Sequence, residues 1–140
     1  IASLANGSGW CSARVDLGAA STAYKFEWRA CFQLVSSPSV LDGSQSIDVF
    51  LVTSNGTFAD GGMASTEAAI SSDDKRFNLE PIGNVIADSA GVTFYGSGRF
   101  ELGSRYFSIA IFNFTGSALS VTQSSTINNL IVTPLVEEIQ

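Results

Sequence analysis

Tyr24, Phe26, Trp28, Ala30, Phe32 and Leu34 alternate along the chain with Lys25, Glu27, Arg29, Cys31 and Gln33. That period of two puts the aromatic set on one side of a strand and the charges on the other, whereas a helix would scatter both around its circumference. The pattern predicts a long strand with one buried and one wet face. Because aromatics dominate core energetics, it is also the strand against which the rest of the fold is expected to pack.

A shorter alternation precedes it, with Cys11, Ala13, Val15 and Leu17 set against Ser12, Arg14 and Asp16. If the two segments pair as an antiparallel hairpin, Leu17 faces Tyr24, Val15 faces Phe26, Ala13 faces Trp28 and Cys11 faces Ala30. Asp16 then meets Lys25 and Arg14 meets Glu27. A slip of one residue would send one apolar set to the wrong side, so this is the register expected of a hairpin. The alternative is a sandwich that separates the two strands onto different sheets. In the hairpin register Cys11 lies on the apolar face and Cys31 on the wet one, so no disulfide joins them. Two free thiols suit a reducing compartment.

Further along, residues 36–46 read as a loop around Pro38, and residues 47–53 as an inner strand, apolar on both faces apart from Asp48. Residues 54–78 are irregular, with Asn55-Gly56 and Asp60-Gly61-Gly62 as turn chemistry and room for one or two helical turns over residues 64–70. A loop this long in a compact domain is often functional. Residues 81–87 form a short strand and residues 91–102 a longer one, with Val92, Phe94, Gly96, Gly98 and Phe100 facing inward. Two successive inward glycines leave space for a bulky neighbour, Trp28 or Phe107. Residues 106–114 are again apolar on both faces, residues 119–122 give a short strand, and residues 127–136 give the last. Pro134 places that strand at a sheet edge or at its own end, because proline cannot donate to a central ladder.

Seven to nine strands and at most a scrap of helix define an all-β fold, an antiparallel β-sandwich of jelly-roll or related Greek-key type. Residues 1–10 carry Ile1, Leu4 and Trp10 on an Asn6-Gly7-Ser8-Gly9 backbone and read as an N-terminal arm, ahead of a single sandwich domain over residues 11–140.

Composition narrows the chemistry. At 140 residues one domain can bury roughly 70% of its unfolded surface without a metal or disulfide staple. The formal charge is −6, and the seven basic residues (Arg14, Lys25, Arg29, Lys75, Arg76, Arg99, Arg105) are dispersed. A nucleic-acid surface needs a basic stripe to displace counterions, so nucleic acid is not an expected partner. No apolar run approaches the ~20 residues that span a bilayer, so a membrane is not expected either. The first residues show no basic stretch followed by an apolar one, so no signal peptide is visible, while a leader lost before Ile1 stays open.

The chain has no histidine, which removes Ser-His and Cys-His nucleophile pairs and His-containing zinc sites together. Two cysteines are too few for a four-cysteine zinc site. Asp60 and Asp73-Asp74 lack the ligand spacing of a calcium loop and read as solvated turns. Glu27 and Glu101 read as surface charges, although a catalytic carboxylate pair is defined by distance in space. No catalytic residue, metal or cofactor is expected, and the chain is not expected to be an enzyme. Asn6-Gly7-Ser8, Asn55-Gly56-Thr57 and Asn113-Phe114-Thr115 match the glycosylation acceptor pattern, which a chain rich in these residues produces by chance.

Several short pieces occur in a telling order: Asp16-Leu17-Gly18-Ala19, then Ile47-Asp48-Val49-Phe50-Leu51-Val52 before an Asn/Gly-rich loop. Gly103-Ser104-Arg105-Tyr106 opens a strand ending at Asn113 before Thr115-Gly116-Ser117-Ala118, and Val132-Thr133-Pro134-Leu135-Val136-Glu137-Glu138-Ile139-Gln140 closes the chain. In these the chain resembles the small β-sandwich head proteins of tailed bacteriophages, the cement or decoration class that binds the outside of a capsid. The resemblance implies a jelly-roll-like module without catalysis, present as a homo-oligomer or in repeated copies on an icosahedral lattice. It also implies contacts to the major capsid protein and to neighbouring copies, in a virion assembled in the host cytoplasm.

Partner contacts are expected from Ile1, Leu4 and Trp10 on the arm, Phe58 in the long loop and Pro134 at the strand edge. Trp is among the residues most enriched at binding hot spots. Removing residues 1–10 is expected to leave a folded domain that no longer decorates particles. The competing expectation is a carbohydrate- or receptor-binding β-sandwich of a phage fibre or secreted protein, with Trp10, Tyr95 and Tyr106 as candidate sugar platforms.

Overall fold

The alternating segments become strands in the computed structural model, which describes residues 1–18, 25–38, 43–70, 73–87, 92–122, 124 and 126–135, without the side chains of 73 and 74. In chain order the strands are β1 (Ser8–Cys11), β2 (Val15–Asp16), β3 (Lys25–Gln33), β4 (Ser46–Ser54), β5 (Ala68–Ile70), β6 (Glu80–Ile86), β7 (Thr93–Glu101), β8 (Tyr106–Asn113) and β9 (Asn129–Leu135). Two antiparallel sheets pack face to face. The larger runs β5-β1-β8-β4-β6 with β2 also on β8, and the smaller runs β7-β3-β9. Among the described residues no strand pairs with the one next to it in the chain, so the sandwich is built from crossing connections rather than from a chain of hairpins.

The long alternating strand holds the centre. Phe26, Trp28, Ala30, Phe32 and the following Leu34 are all buried in the main core. Tyr24, the first of the set, lies outside the described residues. Trp28 fills the space expected over the glycines of β7. A Cβ on Gly98 would stand 2.5 Å from its Nε1, and one on Gly96 would meet Val85 and the far edge of the same indole. The indole N–H donates to the Ile82 carbonyl at 3.2 Å. Pro134 lies on β9, at the edge of the smaller sheet.

The hairpin between the first two alternating segments does not form. β1 and β2 both pair with β8, whereas β3 pairs with β7 and β9 in the other sheet. Asp16 meets Arg105 rather than Lys25, and Arg14 donates to the Gly56 carbonyl at 2.7 Å rather than meeting Glu27. The alternation is also broken. Cys11 pairs with Ala110 and Val15 with Phe107, so four steps along one strand match three along β8. The extra residue turns Cys11 to the outer side of the large sheet while Val15 and Leu17 look toward the space between the sheets. The two cysteines, on different sheets, are free.

β8 and β4 are buried on both faces, as their sequences predict. Phe107, Ile109, Ile111, Ile47, Val49 and Leu51 face the main core. Phe50, Val52, Ala110 and Phe112 join Cys11, Met63, Ile70 and Leu79 in a second cluster on the outer side. The irregular segment after β4 is therefore a cover. Its expected helical turns over residues 64–70 are replaced by β5 beside β1, and among the described residues its helical content is two 3-10 turns at Asp60–Gly62 and Asp73–Asn78. Gly9 allows this closeness, since a Cβ there would lie 2.7 Å from the Phe112 ring and 3.1 Å from Ile70.

The expected N-terminal arm folds back onto its own domain. Ile1 and Leu4 are 9% exposed and belong to the main core. Leu119 N–H donates to the Leu4 carbonyl at 2.9 Å, and Ser3 N–H to that of Ser120 at 3.1 Å. β1 lies between β5 and β8, so deleting residues 1–10 removes an interior strand rather than a loose end. The expected strand at residues 119–122 is reduced to a single bridge between Leu34 and Leu119.

Candidate functional site

The sheets differ in width, and the difference opens the side of the sandwich. β6 lies close to β7 at one margin, while β9 stops short of covering β1 and β2 at the other. Between them is a cleft of about 530 Å³ walled by Trp10, Val15 and Leu17 from the large sheet and by Leu130, Val132 and Pro134 from β9. Phe26, Phe107 and Ile109 form its floor and Ile1 one end, with Ser12, Asn129 and Glu67 as the polar lining.

Local chemistry fixes the rim. The Trp10 indole N–H donates to Glu67 Oε1 at 3.0 Å, setting the ring's orientation. Asp16 receives two bonds from Arg105, 2.6 Å from Nε and 2.8 Å from Nη2, and a third from the Gly18 N–H at 2.8 Å. The guanidinium hydrogen bonds, then the Gly18 bond, pull the Asp16 carboxyl down to about 2 and push the Arg105 pKa up. This clasp ties the β2 wall of the cleft to the start of β8.

The structure brings three of the five sequence-predicted contact residues, Ile1, Trp10 and Pro134, into this one cleft. Leu4 is inside the core. Phe58 is 76% exposed and lies elsewhere, in a polar depression with Asn55, Asp60, Arg105 and Tyr106. Of the aromatic rings considered as sugar platforms, Tyr106 has Arg14 and Arg105 within cation–π range at 5.1 and 4.9 Å and is approached by Gly56. Trp10 is tied to Glu67, and Tyr95 is exposed on the outer face of β7.

Sequence reasoning missed Leu130 and Val132 as cleft residues, although both share the parity of Pro134. It also missed two buried amides. Asn113 donates to the Leu4 and Ser117 carbonyls and accepts from Thr115 N–H and Oγ1, while Asn128 donates to the Ser120 and Thr122 carbonyls and accepts from Gln33 N–H. These two side chains hold the N-terminal segment and the loop after β8 against the sandwich.

Burial pushes the Cys11 thiol up to about 11 and raises Cys31 as well, so neither is an activated thiolate. Asp60 is occupied in accepting from Thr53 N–H and Oγ1. Among the described residues no group of three or more Cys, Asp or Glu side chains gathers as a metal site, and no helix is long and apolar enough to cross a membrane. No protein-family model matches the chain, and comparison with curated proteins and with solved structures gives no match either.

Proposed function

We propose that this chain is a structural virion protein that binds the outer surface of a phage capsid as a cement or decoration protein, contacting the major capsid protein and neighbouring copies of itself. The observation that carries this reading is a strand edge with no partner strand among the described residues, set beside an apolar cleft. β9 has no charged residue over its seven positions, lies at the margin of its sheet, and borders a cavity lined mainly by apolar side chains. A marginal strand of that kind is a site of association with another chain. The absence of histidine and the net charge of −6 fit a binding module that works away from packaged nucleic acid. The ordered sequence resemblance to head decoration proteins supplies the identity of the shell.

Density-gradient purification of intact particles from cells producing this chain tests the reading. The protein is expected to band with the particles in a fixed ratio to the major capsid protein, and Val132→Arg, which places a charge in the cleft wall, is expected to lower that ratio. Recovery of the unaltered chain only in the soluble fraction, with intact particles in the gradient, rejects the proposal.

A further inference from the structure

Pro134 pairs with Phe26 across the β3–β9 ladder. Proline has no N–H, so this pair cannot be one that exchanges hydrogen bonds, and its backbone must point away from β3. Alternation then turns the N–H and C=O groups of Leu130 and Val132 outward too, while Ile131 and Thr133 bond to β3. The side chains of Leu130, Val132 and Pro134 all line the cleft. At one margin of the small sheet, therefore, outward-facing donors and acceptors run alongside an apolar cavity roofed on the far side by Trp10, Val15 and Leu17.

We propose that this is the seat of a fourth strand for the β7-β3-β9 sheet, supplied by an extended segment of a different protein that is apolar at every second position and basic where it passes Glu67. Strand addition of this kind takes its affinity from main-chain bonds and its specificity from pockets for alternate side chains. A strand set one spacing of about 4.8 Å beyond β9 lies over β1 and β2, the part of the large sheet that the small one leaves bare. Its inward side chains enter the cleft. Pro134 limits the new ladder to a short stretch at Leu130 and Val132, which keeps the edge from templating indefinite growth.

Charge selects the occupant. Among the described residues Glu67 carries the one ionisable side chain in the cleft lining, and no Lys or Arg side chain lines it. A segment with a Lys or Arg at that point complements it, whereas a second copy brings β9, which has no charge to offer, and a body of net charge −6. The inference rests on the reading of this chain as an assembly protein only for the identity of the partner.

The test uses the full chain and three acetylated, amidated peptides: Lys-Thr-Val-Thr-Val-Thr-Val, in which Lys and the Val residues share one face, the same with Glu for Lys, and the same with Pro at the middle Val. Amide exchange by NMR is expected to slow at Leu130 and Val132 with the Lys peptide, with Ile131 unchanged because it is already bonded. The Glu peptide is expected to bind about fivefold more weakly, the scale of one exposed ion pair, and the Pro peptide not to protect the edge. In Glu67→Lys the preference should invert.

Absence of saturable protection at Leu130 and Val132 at millimolar peptide overturns the strand seat. Equal binding of the Lys and Glu peptides overturns the choice of partner, as does a β9-dependent dimer in sedimentation. Peptide binding without particle association would reject the capsid reading and leave the seat standing, and particle association without peptide binding would do the reverse.

Discussion

Trp28 shows how one side chain sets the residues around it. It is fully buried, and Gly83, Gly96 and Gly98 crowd the indole from two neighbouring strands. Gly98→Val has no room to grow, because the first added carbon already overlaps the indole nitrogen. The expected cost is about 1–3 kcal/mol, the usual range for overpacking, seen as a lower urea midpoint at unchanged m-value. The glycine pair was legible because period two put both on the inward side of a strand. Asn113 was not legible, since its sequence context reads as a glycosylation acceptor. In the structure it is 0% exposed and its amide nitrogen donates twice inside the protein, so a glycan there is incompatible with the fold. Asn113→Ala is expected to destabilise by about 1–3 kcal/mol for a first orphaned partner. Faster amide exchange at Leu119, whose N–H bonds the Leu4 carbonyl that Asn113 also holds, would identify the N-terminal tie as the part released.

At the level of strands, periodicity revealed faces but not partners. β3 and β7 were legible because each keeps its alternation over nine residues, and β4 and β8 because each is apolar on both faces over eight or nine. The segment from Cys11 to Leu17 misled because one extra residue reverses its facing midway, and seven alternating letters carry no mark of that reversal. Its charges were equally ambiguous. Asp16 pairs with a residue 89 positions away, where Lys25 was the nearer candidate.

That clasp has a pH signature with a definite sign. The folded Asp16 carboxyl titrates at about 2, below its ordinary 3.8, so its contribution is complete above the unfolded value and is lost as pH falls through the folded one. NMR titration of the Asp16 carboxyl carbon is expected to show a midpoint near 2, returning toward 3.8 in Arg105→Gln. An unshifted midpoint in the unaltered chain would mean that the ion pair does not persist in solution.

For the molecule as a whole, sandwich architecture and the edge position of Pro134 could be read ahead, while the cleft could not. It arises from unequal sheet widths, a property of how strands are shared between layers, and no local pattern encodes it. The long irregular segment was similarly opaque. Its Met63 and Ile70, with Leu79 just beyond it, are far apart in sequence and make sense only as a cover for the outer sides of Phe50, Val52 and Phe112.

The same strand sharing also sets a timetable for synthesis. β2 finds its partner only in β8, nearly a hundred residues later, β1 waits for β5 and then β8, and β3 waits for β7 and β9. At ribosomal speeds of about 5–20 residues per second, the first strands remain unpaired for roughly 3–20 seconds after they are made. During that interval the aromatic stripe of β3 and the unbonded backbone of β1 are open to whatever is nearby. Such a chain must be shielded as it emerges, or else complete itself faster than it meets another copy, and its yield in a cell will follow the rate of its own synthesis as much as its final stability.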